Sequence, residues 1–251
     1  VSAVLLERDG PLATITLNRP EARNALRIAD MALIREMLDG LAGDEGLRCL
    51  LLTGAGEKVF SAGAAFEDVL AGDWTESPLT ACCDAIAAFP RPVIAVLNGN
   101  VHGGAGELAA ACDFRVGVEG VTLSIPPARL GLHYDAPGMA RVLRLVGLQA
   151  ARRVFLMGET LAAAELAALG FVDRLVPRAG LAEAAREMAL RFIALAPMAV
   201  SAMKRSLNEI AAGALDPEDA RDRVAACRAS EDFLEGVAAV REKRAPVFRG
   251  R

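Results

Sequence analysis

Val96-Leu97-Asn98-Gly99-Asn100-Val101-His102-Gly103-Gly104-Ala105-Gly106-Glu107-Leu108-Ala109-Ala110-Ala111-Cys112-Asp113 is the stretch on which the fold turns. An apolar run starting at Val93 ends in a glycine-rich turn, and the turn opens into an alanine-rich segment. The run reads as a buried strand, and alanine is the strongest helix former. A strand feeding a glycine turn and then a helix leaves several backbone N–H groups without partners. The helix dipole adds partial positive charge at the same place. Such a site suits an anion, or an oxygen that becomes negative during a reaction. Gly103 and Gly104 have no Cβ, so another molecule can approach the main chain closely. Glu107 falls in the first helical turn, either as a proton carrier or as an acid capping the helix start.

Two common phosphate motifs are excluded. Ala109 stands where the third glycine of a Gly-x-Gly-x-x-Gly fingerprint belongs, and no Gly-x-x-x-x-Gly-Lys-Ser/Thr occurs. With 251 residues, 53% of them apolar, the chain can bury a sizeable core as one large domain or a domain with a small appendage. Its net charge of -4 is spread among interspersed acids and bases, which argues against a nucleic-acid surface. No apolar run reaches the roughly 18 residues of a membrane span. Charges at Glu7, Arg8 and Asp9 and the lack of an apolar core at the N-terminus do not read as a signal peptide. The five cysteines form no Cys-x-x-Cys pair, and His102 and His133 are the two histidines, so a zinc site has few ligands to draw on. The expectation is a reduced, cytoplasmic, metal-free protein.

Around the central stretch, Val1–Glu7 and Leu12–Leu17 flank Asp9-Gly10-Pro11, a hairpin signal. A helix is predicted from Ala25 to Leu41, with Leu26, Ala29, Leu33, Met37 and Leu41 on one face. Leu47–Leu52 reads as a strand, Lys58–Phe66 as a small-residue loop, and Pro78–Phe89 as a helix broken by Pro90-Arg91-Pro92. Phe114–Val118 and Val121–Ser124 read as strands, followed by a loop to Gly138. From about Met139 the pattern is helical, interrupted only at Phe171–Val176. The chain thus divides into a layered α/β part, residues 1–176, and a helical part, residues 177–251. Apolar residues on more than one face of the helical part suggest packing against another subunit. No internal sequence repeat is evident.

Several landmarks occur in order: Asn18-Arg19-Pro20-x-x-x-Asn24-Ala25-Leu26, Phe60-Ser61-Ala62-Gly63-Ala64, and Pro92-Val93-Ile94-Ala95-x-x-Asn98-Gly99. Gly103-Gly104, Glu107-Leu108-Ala109-x-x-Cys112-Asp113, Leu130-Gly131-Leu132 and Glu242-Lys243-Arg244 follow. Over nearly its full length the chain resembles the enoyl-CoA hydratase/isomerase (crotonase) family. The resemblance implies an α/β spiral of ββα units with a C-terminal helical trimerisation region, and a homotrimer or dimer of trimers. It implies acyl-CoA thioester substrates that react through a thioester enolate, with CoA carried by the substrate and no separate cofactor. It assigns the oxyanion hole to the backbone N–H groups of Ala64 and Gly104. It places pantetheine and adenine along the Ala62–Phe66 loop, including Gly63 and Phe66, with Arg23 near the phosphates and Lys243 reaching a nucleotide. Gly103 and His102 are expected at the same pocket, although for His102 a satisfied structural role outweighs the pocket one.

One departure stands out. The family's second glutamate falls at Pro127, which cannot move a proton, so ordinary two-glutamate hydration is in doubt. Asp135 matches a position where some branches carry an aspartate, but it also fits a helix N-cap. The expectation is Glu107 as the main general acid/base, with Asp135 and Tyr134 assisting. Tyr134 can hydrogen-bond a substituent or simply pack through its ring. His133 reads as a loop residue without a task. A hydrolase, a decarboxylase and a non-catalytic acyl-CoA-binding subunit are the alternatives.

Overall fold

The computed structural model describes residues 2–71 and 77–251; Trp74, expected near the substrate pocket, lies outside the described residues. The chain opens with the expected hairpin: β1 (Val4–Asp9) pairs antiparallel with β2 (Leu12–Leu17). Helix α1 (Ile28–Ala42) follows, then β3 (Cys49–Gly54), β4 (Val59–Ser61), α2 (Phe66–Ala71) and α3 (Pro78–Ala88). The central stretch supplies β5 (Val93–Leu97), β6 (Asn100–His102) and α4 (Gly104–Ala111). Next come β7 (Phe114–Val118), β8 (Thr122–Ser124), a tight 3-10 turn at Pro127–Leu130, and α5 (Ala136–Met157). Then follow β9 (Thr160–Ala162), α6 (Ala163–Ala168), β10 (Arg174–Val176), α7 (Leu181–Ile193), α8 (Pro197–Ala212), α9 (Pro217–Ala229) and α10 (Glu231–Glu242).

Two sheets form. The larger has the order β1-β2-β3-β5-β7-β10, the smaller β4-β6-β8-β9. Successive pairs β3/β4, β5/β6 and β7/β8 each give one strand to each sheet, and a helix follows every pair. That is the spiral of ββα units, repeated in topology although no repeat is visible in sequence. Within each sheet these strands run parallel. Strand β5 lies between two neighbours and is buried at every residue, which is why Val93–Leu97 carries no polar alternation.

The stretch that decides the fold differs from its sequence reading in one respect. Between β5 and the glycine turn the chain does not go straight to the helix but first pairs as β6 with β4 and β8. The three-residue strands β4, β6 and β9 were not read as strands, although β8, equally short, was. Helix α1 also begins three residues later than predicted. Leu26 is used instead as an isolated parallel bridge to Ala64, donating to the Gly63 carbonyl at 2.8 Å while the Ala65 N–H donates to its own carbonyl at 2.7 Å.

Buried charges lock the central helix. Arg115 is 2% exposed, and its guanidinium donates to the carbonyls of Ala109 (3.3 Å) and Cys112 (2.8 Å), placing a cation at the C-terminal end of α4. Asp113 accepts from the Val93 N–H at 2.7 Å and from Lys204 at 2.7 Å, tying the start of β5 to α8. The last strand ends at Val176; the described elements beyond it are helical. Helix α7 still belongs to the core through Leu181, Ala184, Ala185 and Ala189. Helices α8 to α10 carry Met203, Leu207, Ile210, Leu234 and Val240 exposed. No described helix is long and apolar enough to cross a membrane.

Candidate active site

The first wall of the site is main chain. Asn24 sits in the left-handed region (φ 53°) and its side-chain amide donates to the carbonyls of Ala55, Val59 and Phe60. Ser61 donates to the Asn24 carbonyl at 2.7 Å and accepts from the Gly63 N–H at 3.0 Å. The Ala62 N–H donates to the Arg23 carbonyl at 2.9 Å. These bonds fix the Ala62–Ala65 loop from one side, and the Leu26 bridge fixes it from the other. Small residues follow from geometry. A Cβ on Gly63 (φ +83°) would come within 2.4 Å of the Gly104 nitrogen, so two backbones are in direct contact there.

Gly103 takes φ 53° and ψ -129°, a region reserved for glycine, and begins α4. A Cβ on Gly104 would strike Leu79 Cδ2 at 2.5 Å and lie 3.4 Å from the Ala64 nitrogen. The N–H groups of Ala64 and Gly104 have no acceptor among the described residues. For Gly104 the reason is general: the first N–H groups of a helix have no intrahelical partner. For Ala64 it is the bridge to Leu26, which uses the groups on either side of it.

The second wall is side chain. Glu107 is 1% exposed and engaged at both oxygens. Arg141 Nη1 donates to Oε1 at 2.5 Å, and the Tyr134 hydroxyl donates to Oε2 at 3.2 Å. The other end of the Arg141 guanidinium pairs with Asp84 on α3. Tyr134 in turn packs on Phe155, ring centres 5.3 Å apart. Burial pushes the Glu107 carboxyl above the ordinary glutamate range; Arg141 and then the Tyr134 hydroxyl pull it back, and Asp135 adds a smaller upward push. Burial also raises the Tyr134 phenol well above its usual value, helped by the negative charge of Glu107.

Both walls open into one cavity of about 540 Å³, within the range of small-molecule pockets. Ala62, Ala64, Phe66, Gly103, Gly104, Glu107, Tyr134 and Asp135 border it together. His133 and Pro127 also border it, Pro127 as an apolar surface. Asp135 occupies the N-cap position of α5, but its carboxylate makes no cap hydrogen bond. Among the described residues it accepts only a long contact, 3.5 Å, from the Thr80 hydroxyl.

The structure does not bring every expected residue to this cavity. Gly63 lies behind the wall, and His102, half-buried in β6, is not among the lining residues. Burial and then the charge of Arg23 lower the His102 imidazole. The Arg23 side chain is exposed, its backbone holding the loop. Lys243 is exposed at the end of α10 in the left-handed region (φ 54°) and is not among the lining residues. No group of three or more potential metal ligands occurs among the described residues.

Three contributors escaped the sequence reading: Arg141, Asp84 and Gly138. A Cβ on Gly138 would sit 2.4 Å from Glu107 Oε2 and 2.5 Å from Tyr134 Cε1. Glycine in the first turn of α5 therefore lets that helix close on the carboxylate, and Arg141, three residues on, shares its face. The available signal was the glycine itself, since glycine inside a helix costs stability unless something needs the room.

A ββα spiral whose cavity is bordered by Ala64, Gly104 and the buried Glu107 defines the class of crotonase-fold proteins. The chain belongs to the enoyl-CoA hydratase/isomerase family, whose model matches residues 7–251, and is an acyl-CoA-processing enzyme of that family. It is similar to a carnitinyl-CoA dehydratase of Salmonella typhi, 34% identical over 98% of each chain. Its fold is similar to an enoyl-CoA hydratase of Bacillus anthracis (TM-score 0.92, 28% identity, all of both chains). It also matches an enoyl-CoA hydratase/carnithine racemase of Magnetospirillum magneticum (TM-score 0.92, 30% identity), covering all of this chain and 97% of that one.

Proposed function

We propose that this enzyme carries out a hydratase- or isomerase-type reaction on an acyl-CoA thioester, passing through an enolate held by the N–H groups of Ala64 and Gly104. One observation carries the reading: the Ala64 and Gly104 amides, without acceptors among the described residues, border the same cavity as the buried Glu107. The enolate oxygen gains charge as the α-proton leaves, and two fixed dipoles aimed at it act without reorganising. Glu107 moves the proton. Tyr134 orients it, and Asp135, free of any cap bond, is the second acid available to a water or to Cγ. The apolar surface of Pro127 favours chemistry that one carboxylate can complete, such as a 1,3-proton shift, over two-glutamate hydration. The carnitinyl-CoA dehydratase relative supports a loss or gain of water as the other form.

On this reading Ala62, Gly103 and Phe66 flank the thioester, while Arg23 and Lys243 meet the CoA phosphates, the latter from a neighbouring subunit. The exposed apolar residues of α8 to α10 fit a homotrimer or dimer of trimers in the cytoplasm. No cofactor is needed beyond the CoA that the substrate carries. The test is a panel of 2-enoyl-, 3-enoyl- and 3-hydroxyacyl-CoA esters followed by mass spectrometry and deuterium incorporation at Cα. Interconversion within the panel, with solvent deuterium appearing at Cα, supports the proposal. Release of free CoA or of carbon dioxide from malonyl-type esters, without interconversion, points to the hydrolase or decarboxylase reading instead.

A further inference from the structure

Nothing in the family reading assigns Arg141. We propose that Arg141 is a positioning residue that holds the buried Glu107 side chain in its charged, aimed form. The proposal deepens the enolate reading and rests on it for the kinetic half of its test.

The geometry is specific. Glu107 sits among apolar neighbours on α4, and such a carboxyl tends to keep its proton. Cys82 and Cys83 face it from α3, and both are buried thiols whose proton loss is pushed upward, to about 12 for Cys82, chiefly by burial. Tyr134 and Asp135 face it from the segment entering α5. Among the described residues, Arg141 is the cation paired with it. Without that cation the carboxyl has a phenol, two neutral thiols and a like-charged aspartate around it. With it, one oxygen is held by a guanidinium and the other by a hydroxyl, so rotation about the carboxyl's own bond is restrained from both sides.

The guanidinium is itself aimed. Its side chain is 11% exposed, its far end is tied to Asp84 on α3, and Gly138 on the same helix face lets α5 come near enough to deliver it. A lysine there keeps the charge but not the planar two-ended grip. The arrangement spans three elements, α3, α4 and α5, and converges on one carboxylate.

The experiment is a carbon-13 NMR titration of protein labelled at the glutamate side-chain carboxyl. The Glu107 signal is identified by its loss in Glu107→Gln. In Arg141→Met the Glu107 midpoint should rise by about 1–3 pH units. Arg141→Lys should fall between wild type and Arg141→Met, and it carries the same test should the methionine variant not fold. The acid limb of kcat/KM on whichever acyl-CoA ester is turned over should move in the same order. A midpoint that stays put in both variants overturns the proposal. A midpoint that moves while the acid limb does not supports the pairing and contradicts Glu107 as the proton carrier, so the two readings fail separately.

Discussion

The two walls of the cavity are made differently. The Ala64/Gly104 wall is backbone, held by backbone-directed bonds from Asn24, Ser61 and Leu26, and its residues are small because two main chains touch. The Glu107 wall is side chain, and its geometry depends on a helix that arrives from further along the chain. A backbone wall tolerates almost no added atom. A side-chain wall tolerates exchange of partners but is sensitive to charge. In the proposed function the first holds the enolate oxygen, and the second decides which proton moves.

That contrast is broken most strongly by removing the proposed proton carrier. Glu107→Gln keeps the shape and should lower kcat by about 10²–10⁴, the usual worth of a positioned general acid/base. Binding of a non-reacting CoA ester, read by calorimetry, should change little. If turnover of the true substrate is unchanged, the side-chain wall has been misassigned.

On the other wall, Gly63→Ala meets both a left-handed φ and a 2.4 Å clash with the Gly104 nitrogen. If the two N–H groups hold the oxygen as proposed, either one shifting away should cost on the order of 10²–10³ in rate. Thermal stability should fall as well, by more than about 1 kcal/mol for a conformation alanine avoids. Retained activity would mean that the backbone contact is not what positions the donors.

Gly138→Ala probes the side-chain wall through space. The added methyl, 2.4 Å from Glu107 Oε2, must displace the carboxylate or α5. Overpacking of this kind costs about 1–3 kcal/mol, and activity should fall while CoA-ester binding is retained. A gentler change is Tyr134→Phe, which removes one donor to the carboxylate and leaves the ring on Phe155. A hydrogen bond to a charged group is worth about 1.5–3 kcal/mol, so losing it should lower kcat by at most roughly 10- to 150-fold. Its acid limb should move to higher pH, because Tyr134 pulls the Glu107 carboxyl down.

The smallest expected effect tests a residue beside the backbone wall. His102 has a lowered folded-state value, so the unfolded chain takes up the proton first. Its contribution to stability is present above the unfolded-chain value and lost as pH falls through it toward the folded one. Urea titrations between neutral and mildly acidic pH should show that loss, and His102→Gln should flatten it.

How much of this was legible follows the same divide. The backbone wall was readable because its demands are local: Gly103 and Gly104 at a strand-to-helix junction, and Ser61-Ala62-Gly63-Ala64 in a small-residue loop, advertise close approach in the residues themselves. The large sheet was readable for a similar reason, since Leu12–Leu17, Val93–Leu97 and Phe114–Val118 are long enough to show their pattern. The short strands β4, β6 and β9 were not, and a helix predicted from Ala25 gave way to the Leu26 bridge, whose partner lies at Ala64. Arg141 reaches Glu107 from 34 positions away, a contact set by the crossing of α5 over α4 and by no sequence period. Asp135 matched an N-cap by position, yet only coordinates show its carboxylate unused there.

A crystal structure of the protein with acetoacetyl-CoA, whose thioester side mimics the enolate, shows where one decisive oxygen sits. The thioester oxygen should lie at hydrogen-bond distance, about 2.7–3.1 Å, from the nitrogens of both Ala64 and Gly104, with Cα facing Glu107. A thioester oxygen turned to solvent or to Tyr134, with both amides empty-handed, contradicts the proposed function.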